Sequence, residues 1–191
     1  GTEYDKRKAS EIFPKLMAYH RWFINARDPD NRGVISIVHP WESGRDNCPD
    51  WDIGMQNIVI PGNLKRYHRR DTHHVDSDQR PTQEQYDRYI TIVDFGRKCN
   101  WNSQTIYTNG PFLMADPGVQ FIFLRASRDL LSMALHLEMD SSVDEIAGWV
   151  EKFETGSDFL WNDMISGYCA RDFRTGQFSD AITNASMLSF F

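Results

Sequence analysis

The sequence predicts a mainly α protein, and three observations carry that prediction. Apolar residues recur at three- and four-residue spacing over long stretches. Helix start signals stand at Thr82 with Gln85 and at Asp116 with Pro117. Strict apolar–polar alternation, the mark of a half-buried strand, is scarce. At about 12 residues per helix plus connections, six or so helices fit this length.

Taken in order, residues 11–24 place Ile12, Phe13, Leu16, Met17, His20, Phe23 and Ile24 at helical spacing. Asp28, Pro29, Asp30, Asn31 and Gly33 then break the pattern, and a short strand-like run follows from Val34 to Val38. From Pro40 to Asn63 the chain is rich in Trp, Gly, Pro and Asp, with at most short helical turns. Thr82 and Gln85 form a capping box for a helix burying Tyr86, Tyr89, Ile90 and Val93. Asp116 and Pro117 open an almost wholly apolar helix, about Val119 to Leu137. Ser142 and Glu145 are read as the cap of the next, with Val143, Ile146, Ala147, Val150 and Phe153 on one face. A further helix is expected around 157–169, and another near Ser179. The connections between 25 and 81 are too long for idle loops, which points to function there.

The 191 residues carry a net charge of -6, which argues against nucleic acid as a general partner. One basic cluster, Lys65, Arg66, His68, Arg69 and Arg70, is answered by Asp71, Asp76 and Asp78 and reads as a salt-bridged loop. Cys48, Cys99 and Cys169 are odd in number and widely spaced, so no disulfide framework follows, and a reducing, cytoplasmic setting is expected. No apolar run approaches the length of a membrane span, so no membrane partner is expected. Gly1 is not an initiator methionine, and the opening residues do not form a signal peptide. Six Trp, seven Tyr and twelve Phe exceed ordinary aromatic content, as sugar clefts often require, although a bulky helical core would also use them.

The densest chemistry lies in His39-Pro40-Trp41-Glu42-Ser43-Gly44-Arg45-Asp46-Asn47-Cys48-Pro49-Asp50-Trp51-Asp52. Glu42, Asp46, Asp50 and Asp52 crowd around Arg45, so at least one carboxyl should hold its proton above the usual range. Protonating a glycosidic oxygen requires such a group. Trp41 and Trp51 flank the cluster with faces suited to a pyranose ring. A solvated acidic loop stapled to the core by two tryptophans is the competing reading of the same composition.

This string resembles the signature of the (α/α)6-toroid glycoside hydrolases of family 63 and their mannosylglycerate hydrolase-like relatives. The resemblance extends through Tyr19-His20-Arg21-Trp22, Arg27-Asp28-Pro29, Arg70-Asp71, Arg80-Pro81, Asp116-Pro117 and Arg174-Thr175-Gly176 to Ala185-Ser186-Met187-Leu188. It implies a fold of about half an (α/α)6 toroid with long loops on one face, residues 1–191 forming one partial catalytic domain. It also implies Asp46 as general acid in an inverting hydrolysis of a small α-glucoside or α-mannoside. Trp41, Glu42, Arg45, Asn47, Trp51 and Trp22 would shape the sugar subsite, with Glu42 orienting Arg45 or a sugar hydroxyl. Cys48 stands where relatives often have a small residue such as Ser, and no catalytic role is assigned to it.

The family's general base is a Glu in the C-terminal third of the toroid, and nothing after Arg174 matches it. The chain alone is therefore expected to lack that half of the site, and to associate with a further segment or a second copy. A non-catalytic carbohydrate-binding or scaffold module is the alternative function, and a helical interaction protein a third. Asp71, His73, His74, Asp76 and Asp78 resemble metal ligands at first sight, but their spacing fits neither the helix-borne His pair of zinc proteases nor the calcium loop. Neither a metal nor any cofactor is expected. His20 reads as a core histidine, and His39 as a brace for the acidic loop.

Overall fold

In the computed structural model, which describes residues 3–71 and 75–191, seven α-helices alternate with short strands and 3-10 turns. In chain order these are α1 (Glu3–Arg27), β1 (Ser36–Ile37), 3-10 turns at Pro40–Ser43 and Pro49–Trp51, and α2 (Asp52–Met55). A further 3-10 turn at Ser77–Gln79 precedes α3 (Gln83–Lys98), α4 (Ser103–Asn109), β2 (Met114–Ala115), α5 (Pro117–His136) and α6 (Asp140–Gly156). The chain closes with β3 (Trp161–Asn162), β4 (Gly167–Tyr168), β5 (Arg171–Asp172) and α7 (Asn184–Met187). His73 and His74 lie outside the described residues.

Two compact units are formed. The first comprises Gly1–Ser36, Asp116–Cys169 and Ile182–Phe191. On α1 the buried residues Phe13, Met17, His20 and Ile24 recur at helical spacing, whereas Ile12 stays 46% exposed. The core joins Ile24 and Ile35 to Phe121, Phe123 and Leu124 of α5 and Phe153 of α6. His20 is buried as expected, with Nδ1 2.9 Å from the Leu16 carbonyl, and burial lowers its pKa.

Gln120 knots this unit together. Its Nε2 donates to the carbonyls of Gly33 (2.9 Å) and Phe153 (3.0 Å), while Oε1 accepts the Ile35 N–H at 2.8 Å. Asp116 caps α5 as its sequence implies, accepting the N–H groups of Gly118 and Val119, with Pro117 at the first helical position.

Two expectations are corrected in this unit. α6 starts at Asp140 after Met139, which supplies no side-chain cap, so the Ser142–Glu145 pair lies inside the helix. The helix expected over 157–169 is a 3-10 turn, Ser157–Leu160, followed by the β3–β4 hairpin. Ser166 at φ 49° turns the chain, and Trp161 and Tyr168 meet across the strands edge-to-face at 5.1 Å.

The second unit comprises Ile37–Ala115 and Ala170–Ala181. Helix α3 opens with the expected capping box, Thr82 Oγ1 accepting from Gln85 N and Gln85 Oε1 from Thr82 N. The strands order as β1-β2-β5, with β2 and β5 antiparallel, Met114 opposite Asp172 and Ala115 opposite Arg171. Arg174 donates to the carbonyls of Tyr107, Thr108 and Gly110, satisfying the C-terminal end of α4. The acidic string lies wholly in this unit, and Trp22 in the other.

Candidate active site

The loop begins with a proline-initiated 3-10 turn, Pro40–Ser43, capped by the His39 side chain. His39 Nδ1 accepts the Trp41 N–H at 3.0 Å, which leaves Nε2 to donate its proton to the Tyr89 carbonyl at 3.1 Å. Burial lowers the pKa of His39 to about 4, outweighing its bond to Tyr89 and the charge of Asp46, so the ring is neutral near pH 7. Gly44 ends the turn in the left-handed region at φ 68°, which glycine adopts without strain. The Ser43 hydroxyl donates to the Pro40 carbonyl and accepts the Arg45 N–H, so the turn is closed from within.

Beyond Gly44 the chain is gripped from below. Trp51 is 1% exposed, and its Nε1 donates to the Arg45 carbonyl at 2.8 Å. The Arg45 guanidinium lies 5.1 Å from the centre of the Trp51 ring and donates to Asp50 Oδ2 at 2.8 Å. Cys48 Sγ donates to the same oxygen at 2.6 Å. Asp50 is fully buried, and its Oδ1 has no hydrogen-bond partner. The next carbonyl along, that of Asp46, accepts the Tyr89 hydroxyl at 2.5 Å. Consecutive peptides at positions 45 and 46 are therefore held by different elements, while the Asp46 side chain is half-buried and takes no part in that bond.

Beside the loop is a cavity of about 200 Å³ lined by Asn47, Cys48, Trp51, Asp52, Gln85 and Tyr89, among others. Burial, followed by the charges of Asp180 and Asp50, raises the pKa of Asp52. A raised carboxyl was expected in this string, and among its acids the resolved upward shift falls on Asp52. The Tyr89 phenol is pushed up to about 12 by burial and by the charges of Asp46 and Asp52, so it keeps its proton. Among the described residues no group of three or more His, Cys, Asp or Glu side chains is placed to hold a metal ion.

The anticipated subsite residues divide. Trp41 is 42% exposed, lies tilted against His39 at 4.3 Å between ring centres and meets Tyr86 and Tyr89 edge-on or tilted. Asn47 is exposed and lines the cavity. Glu42 accepts the Val38 N–H at 3.0 Å, and Asp50 accepts from Arg45. Trp51, expected to help shape the sugar subsite, is 1% exposed, with Phe112 edge-to-face and Arg45 over its ring, and it braces the loop at the cavity wall. Trp22, 53% exposed, lies beside Tyr19 and Phe23 with Arg27 over its ring. Sequence reasoning gave no site role to Tyr89, which reads simply as the buried face of α3, and did not foresee the burial of Asp50, which nothing local signals. The basic loop is salt-bridged as expected where Arg69 meets Asp71 at 2.6 Å, and its Tyr67 is tied to Asp87.

The whole chain, residues 1–191, matches the mannosylglycerate hydrolase MGH1-like glycoside hydrolase domain. The chain belongs to this family. It is 39% identical over 186 residues to a mannosylglycerate hydrolase of Thermus thermophilus, covering 97% of this chain and 44% of that protein. It is 33% identical over 160 residues to a glucosylglycerate hydrolase of Mycolicibacterium hassiacum, covering 83% of this chain and 35% of the relative. The crystal structure of a GH63 mannosylglycerate hydrolase from Thermus thermophilus in complex with Tris superposes with a TM-score of 0.90 at 39% identity. That match covers 96% of this chain and 44% of the other. The family assignment made from the acidic string is thus borne out, as is the mainly α class with its partial (α/α)6 toroid. The MGH1-like chain spans less than half the length of these relatives. No helix among the described residues is long and apolar enough to cross a membrane.

Proposed function

We propose that this MGH1-like chain provides the acid side of an inverting α-glycoside hydrolase site, with Asp46 as general acid. The observation that carries the reading is the double grip on the Asp46 peptide, by Trp51 Nε1 at the Arg45 carbonyl and by the Tyr89 hydroxyl at the Asp46 carbonyl. A general acid must meet the glycosidic oxygen in one geometry, and a loop fixed at both adjoining carbonyls presents its side chain without an ordering cost. Exposed Trp41 supplies a ring face for a pyranose on the same loop, and Asn47 a polar edge. The names of the relatives point to mannosylglycerate or glucosylglycerate as substrate.

In the inverting scheme Asp46 protonates the leaving oxygen while a second carboxylate, about 6.5–9.5 Å away, draws a proton from the attacking water. That base is not assigned to any residue of this chain, so the reaction requires a contribution from further chain or from another copy. Cys48, Cys99 and Cys169, none of them in a disulfide, support a reducing, cytoplasmic setting.

Product anomers followed by proton NMR on mannosylglycerate and glucosylglycerate test the proposal, in the protein together with the further chain or copy that supplies the base. Turnover with inversion, abolished in Asp46→Asn and kept in Asp52→Asn, is the expected result. Loss in Asp52→Asn with activity retained in Asp46→Asn would move the acid to the cavity-lining carboxyl. Sugar binding with no turnover would favour a carbohydrate-binding module.

A further inference from the structure

We propose that Tyr89, braced by His39, is a positioning residue for Asp46, fastening both ends of the acid loop to one point on α3. This inference rests on the reading of Asp46 as the acid. The segment from His39 to Asp46 leaves α3 and returns to it at a single residue. At its start, the His39 Nε2–H donates to the Tyr89 carbonyl at 3.1 Å. At its end, the Tyr89 hydroxyl donates to the Asp46 carbonyl at 2.5 Å. Between them, His39 Nδ1 accepts the Trp41 N–H and so starts the 3-10 turn. A closed ring of hydrogen bonds runs from the helix through the loop and back.

Tyr89 sits mid-helix, 3% exposed, where packing alone would be served equally by phenylalanine. Its hydroxyl is what packing does not need, and it is aimed at the main-chain oxygen of the residue assigned as acid. Both clamp members are neutral near pH 7, since burial keeps His39 unprotonated and Tyr89 protonated, so donor and acceptor roles do not alternate. Neither side chain need touch the reacting atoms. Their effect is geometric: a displacement of about 1 Å at a reacting group costs roughly 10²-fold in rate, so loss of one tether should cost part of that.

Tyr89→Phe removes one oxygen and leaves the ring. In the full chain, kcat on mannosylglycerate should fall about 10-fold with KM within about twofold. The backbone {1H}-15N NOE at Asp46 and Asn47 should fall, while amides along α3 hold their values. Unchanged kcat together with an unchanged NOE overturns the clamp. Asp46→Asn, measured in parallel, separates the two failures. If turnover survives Asp46→Asn the acid assignment falls, and in that case, as where the parent shows no turnover, the NOE alone decides: lowered at 46 and 47 it upholds the clamp, unchanged it refutes it. Should Tyr89→Phe fail to fold, His39→Asn carries the same readouts, because the asparagine amide oxygen can still accept the Trp41 N–H while the shorter side chain gives up the donor to the Tyr89 carbonyl.

Discussion

The Arg45–Asp50 pair beneath the acid loop makes an asymmetric prediction. Asp50 is 0% exposed and Arg45 16%, with 2.8 Å between Nη1 and Oδ2. Unit charges about 4 Å apart at an effective dielectric of about 20 attract by about 4 kcal/mol, before desolvation is subtracted. Arg45→Met leaves Asp50 buried with its cation gone and one oxygen already unpartnered, a loss of about 3–5 kcal/mol. Asp50→Asn keeps the shape, and the guanidinium, over the Trp51 ring and partly in water, is less stranded; about 1–2 kcal/mol is expected. The double variant should be less destabilised than the sum of the singles by about 2 kcal/mol or more. Guanidinium chloride unfolding followed by tryptophan fluorescence measures all three. A coupling below about 0.5 kcal/mol, or Asp50→Asn costing more than Arg45→Met, would refute the reasoning.

Gln120→Leu should destabilise the first unit by about 3 kcal/mol, since the Ile35 N–H and the Gly33 carbonyl each lose a buried partner. A shift worth under about 1 kcal/mol in urea unfolding would show that the knot contributes little. For His39, the folded pKa of about 4 lies below the ordinary 6.5, so the unfolded chain binds the proton more readily. Stability should therefore decline as pH falls from about 6.5 to about 4, by about 3 kcal/mol in all. His39→Asn should flatten that part of the stability–pH curve; a parent and variant with parallel curves would contradict the assignment.

Local signals were legible and distant ones were not. Thr82 with Gln85 and Asp116 with Pro117 start helices because donor and acceptor lie within three residues of each other. Gly44 ends a turn by its own backbone freedom. The stretch 157–169 misled because its apolar spacing suits a helix, and only the pairing of Trp161 with Tyr168 turns it into a hairpin. Likewise Ser142 and Glu145 have the composition of a cap, but α6 already runs from Asp140.

The amino-acid order alone determined the helical class, the family and the acidic string, because each is written in contiguous residues whose chemistry needs no distant partner. Tertiary structure decided which carboxylates serve the loop and which serve the fold. Asp50 is sealed under Arg45, Asp52 lines a cavity with its pKa raised by burial, and the Asp46 carbonyl is held by a tyrosine 43 positions away. Burial and long-range hydrogen bonding separate these acids, and both arise only in the folded chain.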